Sequence, residues 1–319
     1  MIFSNDSIKN LKSLCPICNK PWLIDSNIKK RMLNTDTGRF KTATNYKDCY
    51  RRCLKDQIAI SNGKKPRLIF KNIEDNIPKQ LLPNKNHLQS LLDTCINIKH
   101  KNSKQNQFNF FRSEDAFSWA FFGYICKENL LAKLANKLGL SKPINNILFW
   151  GSPYYSNTSE DYKQALLNAS NSCNENKNSR TEPDIIICTS EELVFIEIKV
   201  DSSNPIIKDS QKYKLDKYRN CEYYKDFNKA CSLYELVRNW TLGNIMAKLS
   251  CKSFKLINLL PQKYIKKESE SQYQIDFCNG LNDVESSYKI MSWEYLFECV
   301  DDKYRAYLLT RMNNILDMK

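Results

Sequence analysis

The sequence predicts a mixed α/β fold with a small cysteine-rich module at its N-terminus. The chain has 319 residues, 42% of them hydrophobic, which suffices for a sizeable core and for two domains. After residue 110, short apolar runs that are typical of buried strands occur between helical segments. Two cysteine pairs lie in the first 70 residues, where large apolar side chains are few. We therefore divide the chain into a module at residues 1–70 and an α/β domain at residues 71–319.

The first cysteine pair, Cys15-Pro-Ile-Cys18, has the spacing of a zinc knuckle. Cys49 and Cys53 are four residues apart and would share one face of a helix. Together the four thiolates predict a Cys₄ site for structural Zn²⁺, and four free thiols are the alternative. A knuckle followed by a helix resembles a treble-clef zinc finger, although two residues more often separate the second pair.

The charge of the chain favours a polyanionic partner. The formal net charge is +14, and residues 1–70 hold 15 Lys and Arg against 5 Asp and Glu. Basic and aromatic residues alternate around the cysteine pairs, as suits phosphate contact and base stacking. A lysine-rich composition throughout the chain is the alternative explanation. The nucleic-acid contacts predicted in the module are Lys29, Lys30, Arg31, Arg51 and Arg52.

The composition also excludes several classes of protein. The 13 cysteines are mostly scattered among apolar residues, which suits a reducing cytoplasm better than a disulfide scaffold. With two histidines, His87 and His100, the chain lacks the residues of a Ser-His-Asp hydrolase, a ββα-metal nuclease or a His-rich zinc enzyme. No apolar run reaches 18 residues and no secretory signal is recognisable, so we expect a cytoplasmic protein without a membrane partner.

The larger domain begins with helices. Periodicity predicts a helix at residues 86–98, and Ser113 is a good N-cap for a long helix that ends at Gly139. A strand at Asn146–Trp150, a helix at Glu160–Leu167 and a loop at Asn168–Arg180 come next. The later predicted elements are helices at Lys208–Tyr218, Leu233–Leu249, from Ser292 and at Asp302–Leu316, and strands at Ser253–Leu260 and Ser287–Met291.

The central feature is a predicted β-hairpin of two apolar runs, Ile185–Cys188 and Leu193–Val200. The second run is almost wholly apolar, as in a strand that is buried on both faces. Yet it carries Glu197 and Lys199, which share one face because they are two residues apart. Asp184 opens the partner strand. Burial of such groups is unfavourable unless they are paired or bound to a metal.

Pro183-Asp184 followed by Glu197-Ile198-Lys199 resembles the signature of the PD-(D/E)xK nuclease superfamily, which has the restriction-endonuclease-like fold. The resemblance implies a mixed sheet of four to five strands flanked by helices, and hydrolysis of phosphodiester bonds with Mg²⁺ or Mn²⁺. It further implies that Asp184, Glu197 and the Ile198 carbonyl bind the cation and that Lys199 orients the attacking water.

Two further sets of residues enter through the resemblance. Relatives often carry a Glu on the first core helix, which here is Glu114. Asp115 in its place, or a first-turn acid that only offsets the helix dipole, are the alternatives. The helix after Lys199 would turn Gln211, Lys214 and Tyr218 toward nucleic acid, or else present a solvated face.

We therefore expect a DNA endonuclease of restriction or defence type that acts on double-stranded DNA. A homodimer is consistent with this expectation, because double-strand cutting often needs two active sites. The alternatives are a non-catalytic nucleic-acid-binding protein with a nuclease-like fold, a nuclease that acts on RNA or branched DNA, and a zinc module that docks a protein.

Overall fold

The structure is a computed structural model that describes residues 3–62, 67–95, 107–156, 161–178, 180–220 and 222–318. It is a mixed α/β structure. The described chain divides into two compact units. The first comprises the described parts of residues 1–86, 102–124 and 300–319, and the second those of residues 87–101 and 125–299.

The first unit contains a small antiparallel sheet in the order β1-β4-β5-β6 and a separate hairpin of β2 and β3. Short helices and turns connect these strands. The strands are β1 Leu23–Ile24, β2 Leu33–Asn34, β3 Arg39–Phe40, β4 Arg51–Cys53, β5 Ile58–Ile60 and β6 Leu68–Phe70. The helices are α1 Asn5–Lys9, α2 Ser26–Met32, α3 Lys85–Thr94, α4 Glu114–Ser118, α5 Tyr124–Lys127 and α14 Asp302–Asp317, with α3 and α5 crossing the boundary between units. Short segments of 3₁₀-helix lie at Tyr46–Asp48, Ile73–Asn76 and Lys79–Asn84.

The first unit extends well beyond residue 70, so the units do not follow the predicted division into residues 1–70 and 71–319. Strand β6 bridges to Phe110, and the Asn76 amide donates to the carbonyl of Phe110 at 2.8 Å. The C-terminal helix α14 joins them through the buried Arg311, whose guanidinium donates to the carbonyl oxygen of Asn76 at 2.9 Å. Long-range packing of this kind leaves no local trace in the sequence.

Within the described residues, the second unit contains a six-stranded mixed sheet in the order β12-β11-β10-β9-β7-β8. Strand β10 pairs antiparallel with β9 and parallel with β11. The strands are β7 Asn146–Phe149, β8 Ser152–Pro153, β9 Ile185–Cys188, β10 Glu192–Ile198, β11 Ser253–Leu260 and β12 Tyr288–Ser292. The helices are α6 Leu131–Leu138, α7 Tyr162–Ser172, α8 Phe227–Ala230, α9 Tyr234–Leu249, α10 Gln262–Ser269, α11 Gln272–Gly280, α12 Val284–Ser287 and α13 Trp293–Leu296, with 3₁₀ segments at Asp209–Tyr218 and Phe297–Cys299.

The predicted hairpin is confirmed as β9 and β10, and every residue of both strands is buried. The predicted strands at 146–150, 253–260 and 287–291 belong to the same sheet. The expected four to five strands become six because the two-residue strand β8 forms an additional edge. The turn before β8 passes through Trp150 and Gly151, both at positive φ.

Several helix predictions differ from the structure. The long helix at 113–138 is interrupted by a π-helix at Trp119–Gly123 and by a break before α6, although Gly139 ends it in the left-handed conformation as expected. Helix α7 runs through Ser172 into the predicted loop, and α10 and α11 were not predicted. Residues 96–98 and 160 of the predicted helices lie outside the described residues. Among the described residues, none of the helices has the length and apolarity needed to cross a membrane.

Helix α9 covers the face of the sheet that carries Phe195 and Glu197, and it approaches β11 closely at Gly243. A Cβ atom at Gly243 would lie 2.0 Å from a ring carbon of Phe254. The Phe254 ring itself packs edge-on against Phe195 and Trp240. Glycine at this position therefore sets how closely the helix lies on the sheet.

We expect Gly243→Ala to lower the free energy of unfolding by about 1 to 3 kcal/mol, because the ring cannot move without disturbing a packed cluster. Urea denaturation measures this change. Lys248→Ala, an exposed change on the same helix, is the control and is expected to stay within about 0.5 kcal/mol of wild type. Gly243→Ala/Phe254→Leu should lose less than the sum of the two single changes, and strictly additive losses would contradict the close approach.

Candidate active site and metal cluster

Asp184 and Glu197 come together through the register of the hairpin. Ile185 lies opposite Ile196, so one further step places Asp184 opposite Glu197 at the end of the strand pair. The Asp184 carboxylate accepts a hydrogen bond from the backbone N–H of Ile198 at 2.8 Å. On the other side of Asp184, its carbonyl accepts from the N–H of Trp150 at 3.3 Å. These backbone contacts fix the acid beside the Glu197-Ile198-Lys199 segment.

Glu197 and Lys199 form a buried ion pair on the face of the sheet that helix α9 covers. They are 3% and 5% exposed, and Lys199 Nζ donates to Glu197 Oε1 at 2.5 Å. The second oxygen of Glu197 accepts from the Asn239 amide at 2.7 Å, and Lys199 Nζ lies 3.0 Å from Glu235 Oε2. Two residues of α9, four positions apart, therefore hold the two charged residues of the strand.

The electrostatics of this cluster follow from its burial. Burial raises the pKa of Glu197, against the opposing effect of the Lys199 charge. Burial would also raise the pKa of Glu235, but the positive charges of Lys199 and Arg238 outweigh it and the pKa falls below its usual value. Lys199 and Arg238 thus lie among the carboxyl groups of Glu197 and Glu235.

The backbone of Lys199 is fixed from two directions. Its N–H donates to the carbonyl of Leu259 on β11 at 2.9 Å, and its carbonyl accepts from the indole N–H of the fully buried Trp293 at 3.0 Å. Trp293 begins the short helix α13, which Ser292 caps by accepting from the N–H of Tyr295. The Ser-Trp-Glu segment near the C-terminus therefore positions the lysine of the site.

A second buried acid, Glu175, holds the segment that precedes Asp184. Its carboxylate accepts from the Ser170 hydroxyl at 2.6 Å, the Thr181 N–H at 2.9 Å and the hydroxyls of Thr181 and Tyr218. Burial would raise its pKa, but these hydrogen bonds outweigh burial and the pKa is lowered. The sequence analysis missed Glu175, which lay in a predicted loop without any motif.

The predicted DNA-facing set Gln211, Lys214 and Tyr218 is wrong for Tyr218, which is 1% exposed and bonded to Glu175. The reason is that Asp209–Tyr218 forms 3₁₀-helix, with three residues per turn, where α-helix was predicted. Gln211 and Lys214 lie on its exposed side, while Leu215 and Tyr218 lie on the buried side.

Glu114 lies in the first turn of α4, which Ser113 caps by accepting from the N–H of Ala116. It belongs to the first unit, whereas Asp184, Glu197 and Lys199 belong to the second. Its membership in the site, and the alternative of Asp115, stay predictions. The same holds for the Ile198 carbonyl, since the contact seen at Ile198 is made by its amide.

The metal cluster of the first unit consists of Cys15, Cys18, Cys53 and Asp56, whose ligand atoms all lie within 4.8 Å of one another. This group could hold a metal ion. The thiols of Cys15 and Cys53 each lie 3.1 Å from Asp56 Oδ2, and the Cys18 and Cys53 sulfur atoms are 3.7 Å apart. Burial raises the pKa of Cys15 and of Cys53. A bound cation would offset that effect and favour the thiolates.

Cys49, the predicted fourth ligand, is not part of the cluster. Its thiol donates to the Asn45 carbonyl at 3.4 Å and packs in a small core with Tyr46 and Ile69. The prediction assumed a helix, but the chain from Cys49 into β4 is extended, and four extended residues span roughly 13 Å. The signal that was missed is Cys53-Leu-Lys-Asp56, which repeats the spacing of Cys15-Pro-Ile-Cys18.

The two turns of the cluster also share a backbone conformation. Asn19 and Gln57, the residues that follow Cys18 and Asp56, both have positive φ. Each turn closes a short hairpin, through the Leu14–Pro21 bridge and the pairing of Cys53 with Ile58. The cluster is therefore built from two similar tight turns.

The basic residues of the first unit fall into two groups. Lys29, Lys30 and Arg31 are exposed in the last turn of α2. Arg51 and Arg52 are partly buried, since Arg51 donates to the Ser61 carbonyl and Arg52 pairs with Asp25. In the first group Lys29 and Lys30 are exposed to a partner, whereas Arg31 pairs with Asp48 at 3.2 Å. The second group stabilises the fold of the unit.

Comparison with known proteins finds no family model, no curated protein and no solved structure that matches this chain.

The metal cluster predicts a clear difference between cysteines. We expect about one tightly bound metal ion per chain, retained in Cys49→Ser and lost in Cys53→Ser. Elemental analysis of the purified proteins measures the content. Asp56→Ala should weaken retention against a chelator. Loss of the metal from Cys49→Ser, with retention in Cys53→Ser, would return Cys49 to the ligand set.

The Glu175 network predicts that removal of one hydroxyl group lowers the stability of the protein. Tyr218→Phe should lower the free energy of unfolding by about 1 to 3 kcal/mol, because a buried carboxylate loses a donor. Urea denaturation tests this, with Tyr213→Phe as the control, since Tyr213 is 68% exposed. Equal stabilities of the two variants would contradict the network.

Proposed function

We propose that the chain is a Mg²⁺-dependent DNA endonuclease, of restriction or defence type, with a restriction-endonuclease-like second unit. The observation that carries the proposal is the convergence of Asp184, Glu197 and Lys199 at one end of a buried hairpin. Strands seldom bury an acid and a base without a use for them, and perturbed ionisable groups cluster at functional sites. The mixed sheet around β10 supports the proposal, because the resemblance implies a mixed sheet flanked by helices.

The donor chemistry at this place fits a hard cation. Mg²⁺ takes carboxylate oxygens and keeps several waters, so two protein carboxylates suffice. Asp184 and Glu197 would hold it. Among the described residues, the group with three or more ligand side chains in mutual reach is the Cys15 cluster. Waters and substrate oxygens would therefore complete the coordination at Asp184 and Glu197.

Bound Mg²⁺ supplies Lewis acidity that polarises a phosphate oxygen and acidifies water. Asp184 is oriented for its part by the Ile198 N–H, and Glu197 by the Asn239 amide. Lys199 would hold the attacking water and stabilise the negative charge that develops on the phosphate. Hydrolysis adds the hydroxyl of water to phosphorus and its proton to the departing 3′-oxygen, which leaves 5′-phosphate and 3′-hydroxyl ends.

We further propose that the cluster of Cys15, Cys18, Cys53 and Asp56 holds structural Zn²⁺, which accepts sulfur and carboxylate ligands in tetrahedral sites. The first unit would then present Lys29, Lys30 and Arg31 to the phosphates of double-stranded DNA. Exposed Gln211 and Lys214 would add contacts from the second unit. None of the described cysteines forms a disulfide, which is in keeping with a cytoplasmic setting.

We expect Asp184→Asn, Glu197→Gln and Lys199→Met each to slow Mg²⁺-dependent plasmid cleavage by about a thousandfold. Each change removes a cation ligand or the charge that stabilises the attacked phosphate. Glu191→Gln is the matched control, because Glu191 lies at the exposed tip of the same hairpin and pairs with Lys142. It should cleave at the wild-type rate.

The same assay separates the alternatives. Cleavage of RNA or of a branched junction, with intact linear duplex and plasmid, would change the substrate and leave the chemistry in place. A wild-type chain that binds DNA but cuts none of these substrates with Mg²⁺ or Mn²⁺ would support the non-catalytic alternative. Wild-type cleavage rates in Asp184→Asn would show that the site lies elsewhere.

A further inference from the structure

Glu235 is a residue of the charge cluster that no sequence motif indicated. It lies in the first turn of α9, and its Oε2 is 3.0 Å from Lys199 Nζ. One helical turn later, Asn239 donates to Glu197. The same side of α9 thus holds the strand lysine and the strand glutamate separately, each through its own side chain.

The contacts of Glu197 create a conflict with cation binding. Both of its oxygens are engaged, Oε1 by Lys199 at 2.5 Å and Oε2 by Asn239 at 2.7 Å. A divalent cation on Glu197 would repel the Lys199 ammonium from Oε1. Loss of the Glu197 contact is unfavourable for the Lys199 ammonium, because that group is 5% exposed and largely withdrawn from water. Lys199 therefore needs a second acceptor that does not bind the cation.

We propose that Glu235 is this acceptor, a positioning residue that takes over the Lys199 ammonium when a divalent cation occupies Glu197. The transfer needs little movement, since Nζ already lies within 3.0 Å of both carboxylates. It keeps Lys199 charged and beside the site without competition for Glu197. This inference rests on the proposed function, because it takes Asp184 and Glu197 as the cation-binding residues.

A double-mutant cycle on cation affinity tests the inference without any cleavage. Mn²⁺ binding is measured by electron paramagnetic resonance on the full chain, supplied with one equivalent of Zn²⁺ so that the thiol cluster does not take up manganese. We expect Glu235→Gln to weaken Mn²⁺ binding about tenfold, equivalent to about 1.4 kcal/mol. Without the Glu235 carboxylate, the Lys199 ammonium then competes with the cation for Glu197.

The decisive comparison is made without the lysine. Lys199→Met removes the competitor and should bind Mn²⁺ at least as tightly as wild type. Glu235→Gln/Lys199→Met should then bind like Lys199→Met alone. If Glu235 acted only as a distant negative charge, its removal would weaken binding equally in both backgrounds, and that result would overturn the inference. So would an unchanged affinity in Glu235→Gln.

Three controls keep the outcomes distinct. Glu222→Gln breaks an exposed ion pair between Glu222 and Lys248, a residue of α9. This variant should leave Mn²⁺ affinity unchanged. Asp184→Asn should abolish the signal, which assigns it to this site. If Glu235→Gln does not fold, Glu235→Asp keeps the charge on a shorter side chain and should weaken binding by a smaller factor, again only when Lys199 is present.

Failure of the proposed function would look different. A wild-type chain that neither binds Mn²⁺ in an Asp184-dependent manner nor cleaves nucleic acid would remove the function and the inference together. A chain that binds and cleaves but shows equal effects of Glu235→Gln in both backgrounds would remove the inference alone.

Discussion

The buried ion pair of Glu197 and Lys199 is the interaction on which the second unit depends. Two charges withdrawn from water on a central strand are stable only with further partners. Those partners come from one helix, α9, through Glu235, Arg238 and Asn239. The helix must therefore lie close to the sheet. Gly243, one turn beyond Asn239, allows this approach, because any side chain there would meet the ring of Phe254.

The chain before Asp184 contains a second buried acid, which likewise needs hydrogen-bond partners. Glu175 is satisfied by hydroxyl and amide donors from the end of α7, from Thr181 and from Tyr218. This network ties the approach to Asp184 to two other elements of the unit. Asp184 itself is then held between the backbone amides of Trp150 and Ile198. The acid that opens the hairpin is thus fixed by the main chain, and the acid within it by side chains.

The first unit also depends on contacts between segments that are distant in the sequence. Its strands are two or three residues long, so strand pairing alone stabilises it weakly. Four side chains that could hold a metal ion bring together two tight turns that are distant in the sequence, Cys15–Cys18 and Cys53–Asp56. The unit also draws on the C-terminal helix α14, where the buried Arg311 bonds to Asn76. Long-range links substitute for a large local core.

The sequence by itself determined the hairpin, its burial and the common face of Glu197 and Lys199, because strand alternation is local and strict. It also determined one knuckle of the metal cluster. Only the tertiary structure decided which residues meet these groups. The sequence around these residues contains no recognisable motif, and each of them matters because of a side chain that it contacts in the fold. They are Glu235, Asn239, Glu175 and Asp56. Cys49 and Tyr218 were misplaced because an extended chain and a 3₁₀-helix replaced predicted α-helices, and a change of helical period moves a side chain to another face.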